Sequence, residues 1–264
     1  MSAVARAEQI IRVVRGTLEA SLRVAWLRNL LVQAQYDVSD LACVLEIICA
    51  RAEQADPVAR EVLVALVDAF QEPACTRAVQ RLREEAAGVP HLALGRLIRN
   101  PLGMNGREVC PPEDDQVPDY GRGRPLSLGE RKYLARRTDR DTLARLLRDP
   151  HPTVIERVLV NPKLTEEDVL ALASRRPCRP DVLAEIARAP RWAHRARIRM
   201  ALVLNPDTPA DMAGPLTGLL MRHELRLVLS SPQVAPAVRA LCHEHLERRP
   251  PASFPEEIDI GDVQ

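Results

Sequence analysis

The sequence predicts an all-α fold, an α-solenoid of stacked short helical hairpins with an irregular helical N-terminal part. Three observations carry this. Aromatic residues make up only 3% of the 264 residues, while Ala, Leu, Arg and Glu dominate, and these are helix formers. A polar or small residue followed by Pro recurs at Asp149-Pro150, Asn161-Pro162, Arg176-Pro177, Ala189-Pro190, Asn205-Pro206 and Ser231-Pro232. The residue before a Pro is pushed out of the α region, so each dipeptide closes one short helix. Between these breaks, apolar residues fall at helical spacing, as in Val169, Leu170, Leu172 and Ala173, or Val182, Leu183, Ile186 and Ala187. Helices this short are marginal alone in water and persist by burying their stripes on neighbours. Well over half of the residues are expected in helices, with essentially no strand.

Taken in order, residues 1–100 form a helical N-terminal region without a clear repeat. An amphipathic stretch runs from Ile10 to Gln35 with a break at Gly16. Ser39-Asp40 opens a helix through Arg51, Asp56-Pro57 one through Phe70, and Glu72-Pro73 one ending near Gly88. Residues 101–125 are rich in Pro, Gly and acid and read as a long exposed loop that tolerates shortening. Residues 126–248 hold the repeats. LGERKYLARR is one helix, and Thr138 to Asp141 cap the next. Thr165 precedes Glu166, Glu167 and Asp168 as a capping box, and Thr208 stands as N-cap before Pro209. A break without Pro falls near Leu220–His223. Residues 249–264 read as a flexible acidic tail.

The pattern Asp149, Pro150, Val154, Val158, Asn161, Pro162, Leu164, Leu170, Leu172, Ala173 resembles the leucine-rich repeat variant, a HEAT-like family of α-helical repeats. A second, less complete unit matches at Pro190, Asn205, Pro206, Thr208 and Pro209, so the resemblance covers about residues 140–245. It implies stacked helical pairs. The best-known member carries an iron–sulfur cluster in a Cys-rich segment. This chain has no clustered C-x-x-C spacing, so that cofactor does not carry over.

Little in the sequence points to chemistry. No Walker loop, dinucleotide fingerprint, G-x-S-x-G or H-E-x-x-H occurs. Cys43 and Cys49 lie six apart on a helix and face different sides, which argues against a redox pair. Cys242, His243, Glu244 and His245 form the one cluster of metal-ligand types. Cys242 and His245 share a helix face, but no spacing specifies a third ligand from Cys178 or His223. No catalytic residue, cofactor or metal is expected. No apolar run is long enough to cross a bilayer, and the N-terminal stretch reads as an amphipathic helix, not a secretory leader. A bacterial cytoplasmic location is the expectation.

Charge supplies the functional expectation. The net charge is +1, yet residues 122–200 carry 19 basic and 10 acidic side chains. Arg175, Arg176, Arg179, Arg188 and Arg191 lie at or near inter-helix turns, which stack along one edge of a solenoid. Arg195 and Arg199 share a helix face. Trp192 sits among them, either as an interface anchor or, as the repeat pattern favours, packed in the core. These eight residues form the expected partner-binding stripe. The expected function is non-enzymatic protein–protein interaction, a scaffold or adaptor for a partner with an acidic surface. The alternative is a nucleic-acid-binding helical-repeat protein using the same arginines, against which the scarcity of stacking aromatics weighs.

Overall fold

A computed structural model describes residues 2–33, 37–88, 92–99, 117–121, 123–137 and 139–249. Helix makes up 73% of the structure, with sixteen α-helices and no strand among the described residues. The N-terminal half holds α1 (Ala3–Gly16), α2 (Ala20–Val32), α3 (Val38–Glu53), α4 (Pro57–Gln71), a 3₁₀ turn (Pro73–Cys75), α5 (Thr76–Gly88) and α6 (Leu92–Ile98). The break at Gly16 falls where the sequence places it. Asp56 starts α4 by accepting hydrogen bonds from the Val58 and Ala59 amides at 2.9 and 3.3 Å, with Pro57 in the first turn. Helix α3 lies at the centre and packs on α1, α4, α5 and α6. The sequence reading misses α6, whose first-turn amides find an acceptor far back in the chain. The carboxylate of Glu46, on α3, accepts from the Ala93 and Leu94 amides at 3.1 and 2.8 Å.

The C-terminal half runs through α7 (Leu128–Leu134), α8 (Arg140–Leu146), α9 (Pro152–Leu159), α10 (Glu166–Ala173), α11 (Pro180–Arg188) and α12 (Pro190–Ala193). It continues with α13 (Ala196–Leu204), α14 (Ala210–Thr217), α15 (Arg222–Ser230) and α16 (Pro236–Arg248). Local signals set most starts. Ser127 with Glu130 and Thr165 with Asp168 make reciprocal capping boxes, and Asp139 caps α8. Thr208 is a correction: its hydroxyl donates back to the Leu202 carbonyl at 2.6 Å, and Pro209 occupies the N-cap position of α14. Helices pack next-but-one along the row, α7 on α9, α9 on α11, α11 on α13 and α13 on α15.

The recurring Asx-Pro dipeptides have one physical role. Asp149, Asn161 and Asn205 are buried. Each side-chain oxygen accepts from the amide two residues on, at 2.9, 2.9 and 3.0 Å, which fixes the turn around the Pro. The two asparagines then reach an earlier helix. Asn161 Nδ2 donates to the Ala135 and Arg137 carbonyls, both at 2.7 Å, just past α7. Asn205 Nδ2 donates to the Ala173 and Arg175 carbonyls at 2.8 and 3.0 Å, at the end of α10. Carbonyls at a helix C-terminus lack intrahelical donors, so each Asn satisfies two of them. Asn161→Ala and Asn205→Ala are each expected to cost about 1–3 kcal/mol in urea unfolding. A cost near that of the exposed control Lys163→Ala would show that water replaces the amide.

The row is not an open groove along its whole length. Helices α4 and α6 pack on α14, α4 also meets α11, and one continuous apolar core joins both halves. Arg60 Nη2 donates to the Leu219 carbonyl at 3.1 Å, and Arg99 pairs with Glu244 at 2.9 Å. Gly218 lies at this seam, where an added Cβ would come within 3.0 Å of Leu97. The expected loop 101–125 is described only from residue 117, and residues 250–264 of the expected tail lie outside the described residues. The described end of the loop is anchored. Tyr120 is buried, its hydroxyl donates to Asp149 at 2.5 Å, and the Asp119 carbonyl accepts from Arg145 at 3.1 Å. Shortening that extends through Tyr120 therefore removes a core contact.

Candidate interaction surface

The predicted arginine stripe is largely engaged within the fold. Arg191 donates to the Asn161 and Leu164 carbonyls at 2.9 and 3.3 Å and lies 4.4 Å over the Trp192 ring. Trp192 is 1% exposed, and its indole N–H donates to the Leu159 carbonyl at 2.8 Å, so it offers no surface to a partner. Arg195 pairs with Glu166 and stands 5.5 Å from the same ring, while its neighbour Arg197 pairs with Glu167 at 2.5 Å. Arg176 donates to the Leu204 carbonyl at 2.8 Å and to Gln233. Arg179 pairs with Asp181 at 2.9 Å and Arg188 with Glu185 at 2.8 Å. Arg199 is half-buried and donates to the His194 carbonyl, and burial pushes its pKa down. Arg175 is half-buried, with its carbonyl taken by Asn205.

The cause is the packing of successive helices. Glu166 and Glu167, which open α10, pair with Arg195 and Arg197, and backbone carbonyls at helix ends or in turns accept from Arg176, Arg191 and Arg199. Arg191→Ser is therefore expected to cost about 1–2 kcal/mol, through lost hydrogen bonds and the lost stack on Trp192. An exposed arginine would cost under about 0.5 kcal/mol. A urea series on Arg191→Ser beside Arg157→Ser decides between them, and equal losses would put Arg191 on the bland surface.

Among the cations left to solvent, four lie on adjoining segments elsewhere. Arg136, Arg137, Arg157 and Lys163 are exposed and have no ion-pair partner among the described residues. Two large apolar side chains share their location: Tyr133 is 62% exposed and Val160 69%. The two segments are held side by side. Asn161 grips the Ala135 and Arg137 carbonyls, so the end of α7 abuts the turn after α9. Within them, Tyr133 is one turn from Arg136 and Arg137, and Arg157 one turn from Val160. Two exposed apolar side chains and four cations thus sit on adjoining segments. Charge counting along the chain could not select these four, because it does not show which cations have partners.

Buried titratable groups serve packing. Burial acts to raise the pKa of Glu53, but His245 and a bidentate Arg96 at 2.8 and 2.5 Å hold it at about 2. His245 is 2% exposed with Nδ1 3.5 Å from Glu53, and burial pushes its pKa down. This cluster ties α3, α6 and α16 together. Cys242 shares the inward face of α16, and burial pushes its thiol up to about 12. His243 instead pairs outward with Glu247 at 3.3 Å, and no group of three or more His, Cys, Asp or Glu among the described residues could hold a metal ion. In comparisons with known proteins, no family model, no curated protein and no solved structure matches the chain.

Proposed function

We propose that the chain is a non-enzymatic interaction protein, a helical-repeat scaffold or adaptor that docks an acidic partner protein. The observation that carries the reading is that Arg136, Arg137, Arg157 and Lys163 lie on the same adjoining segments as exposed Tyr133 and Val160. An aromatic and an aliphatic anchor bordered by charge is the anatomy of a protein interface: the apolar centre gives affinity, the rim gives steering. The repeated Asn clamps support the stacked-pair architecture, since they hold successive helical units in one register. They also hold the patch on a rigid frame. No helix among the described residues is long and apolar enough to cross a membrane. This reading moves the binding face from the Arg175–Arg199 stripe to the α7–α9 edge.

The test places a photo-crosslinking side chain at position 160 and, as control, at exposed Leu18 on the other half, in the native host. A specific adduct from position 160 alone is expected. Affinity for the partner so identified should fall at least tenfold in the variant Arg136→Ser, Arg137→Ser, Arg157→Ser, Lys163→Ser, with an unchanged melting temperature. Unchanged affinity would remove the patch as the binding face. Crosslinks to nucleic acid, with binding that falls steeply as salt rises, would transfer the patch to the alternative class.

A further inference from the structure

A second feature lies away from this patch, at the seam of the two halves. A cavity of about 280 Å³ opens between α4, α5, α6, α11 and α14. Its apolar wall includes Phe70, Ile98 and Pro215, and its rim carries Thr76, Arg188 and Asp211. Gln71 also lines it, at the C-terminal end of α4. This side chain is 7% exposed, yet neither its amide nitrogen nor its amide oxygen has a hydrogen-bond partner. A buried amide without partners is costly, and natural proteins seldom leave both ends unmet. Arg83 also lines the cavity, and its Nε donates to the Ile98 carbonyl at 2.6 Å.

From this we infer that the cavity is a binding site for a small amide-bearing ligand, with Gln71 as its recognition element. A primary amide offers N–H donors beside a carbonyl acceptor in one plane. The group that satisfies both presents the same edge in reverse: a primary carboxamide or a lactam. The walls on either side add an apolar body, as in most small-molecule sites, where a few placed polar groups fix orientation. The volume accommodates one ring. The same edge is offered by a free carboxamide or by an Asn or Gln side chain of a bound peptide, and the probes below separate them. This inference stands apart from the α7–α9 patch and does not depend on it.

The experiment titrates the full chain with benzamide, with N,N-dimethylbenzamide, which lacks the N–H donors, and with N-acetylglutamine methylamide. Saturation-transfer NMR reads binding and thermal melts read stabilisation. Benzamide is expected to bind saturably and to raise the melting temperature by about 3–5 °C at ten times its Kd. Dimethylbenzamide should bind at least tenfold more weakly. Gln71→Leu should melt a few degrees higher without ligand, because it removes the orphaned amide, and should lose the benzamide response. Thr76→Trp leaves Gln71 intact and fills the mouth, so it should lose the response at an unchanged melting temperature. Gln71-dependent binding of N-acetylglutamine methylamide in place of benzamide assigns the site to a peptide side chain. No response to either amide up to 20 mM (about the ceiling for one-ring fragments), equal binding of dimethylbenzamide, or undiminished binding by Gln71→Leu overturns the inference.

Discussion

Asp149→Ala is expected to destabilise the protein by about 3–5 kcal/mol, lowering the melting temperature by roughly 6–20 °C. Asp149 is 2% exposed and accepts from Arg131 Nη1 at 2.8 and 2.9 Å, from the Tyr120 hydroxyl, and from the His151 amide. The Arg131 side chain is itself 7% exposed. Removing the carboxylate leaves a buried guanidinium without its counter-charge, and that desolvation is the main penalty. It also orphans the Tyr120 hydroxyl that pins the end of the acidic segment, and it loosens the turn before α9. The double replacement Arg131→Met, Asp149→Leu should recover a large part of the loss, since no buried charge remains. Tyr120→Phe should cost only about 1 kcal/mol. A loss below about 1 kcal/mol for Asp149→Ala would mean that solvent reaches Arg131 and that the pair is not a structural lock.

Asp68→Asn is expected to act in the opposite direction and to do so only above mildly acidic pH. Asp68 is 6% exposed on α4, and burial pushes its pKa up to about 7 from a usual value near 3.8, with Glu72 adding to the rise and Arg199 opposing it. His194 stands 4.0 Å away, but burial pushes its pKa down, so both groups are driven toward their neutral forms. The sign follows. The folded state holds a proton on Asp68 that the unfolded chain releases near pH 4. The contribution of Asp68 to stability is therefore complete below pH 4 and is lost as pH rises to about 7, levelling off above. Asn cannot ionise, so the variant escapes that loss. At pH 8 it should be more stable than the parent by on the order of 2–4 kcal/mol, and at pH 4 equal to it. His194 works the other way on the acid side, where its depressed pKa removes stability as pH falls. Subtracting parent from variant cancels it. A difference that does not change between pH 4 and pH 8 would show that Asp68 is ionised and compensated in the fold.

How much of this was legible in the sequence depends on how far apart the interacting groups lie. The all-α class and most helix limits rest on signals within about four residues. Pro57 and Pro180 start helices, Ser127–Glu130 and Thr165–Asp168 close capping boxes, and the Asx-Pro dipeptides separate helices. Backbone sterics and local hydrogen bonds decide such features wherever the segment ends up. The start of α6 escaped because its cap comes from Glu46, nearly fifty residues earlier. The Thr208 cap was misread because α14 starts one residue later than the Thr-Pro pair suggests, with Pro209 at its N-cap, and the Thr208 hydroxyl donates to the Leu202 carbonyl six residues back.

The proposed binding face shows the same division more sharply. The sequence determined that the middle of the chain is rich in arginine and that Asn-Pro turns recur. Which of these cations find an acid within the fold was decided by tertiary structure. Arg195 meets Glu166 and Arg191 meets the Asn161 carbonyl across about thirty residues, while Arg136, Arg137, Arg157 and Lys163 meet no acid among the described residues. The seam cavity and the orphaned amide of Gln71 likewise exist only because α4 closes on α11 and α14. The physical reason is common to all of these. A helix cap or break is fixed by the covalent neighbourhood, whereas a charge is spent or left over only after packing has chosen its neighbours.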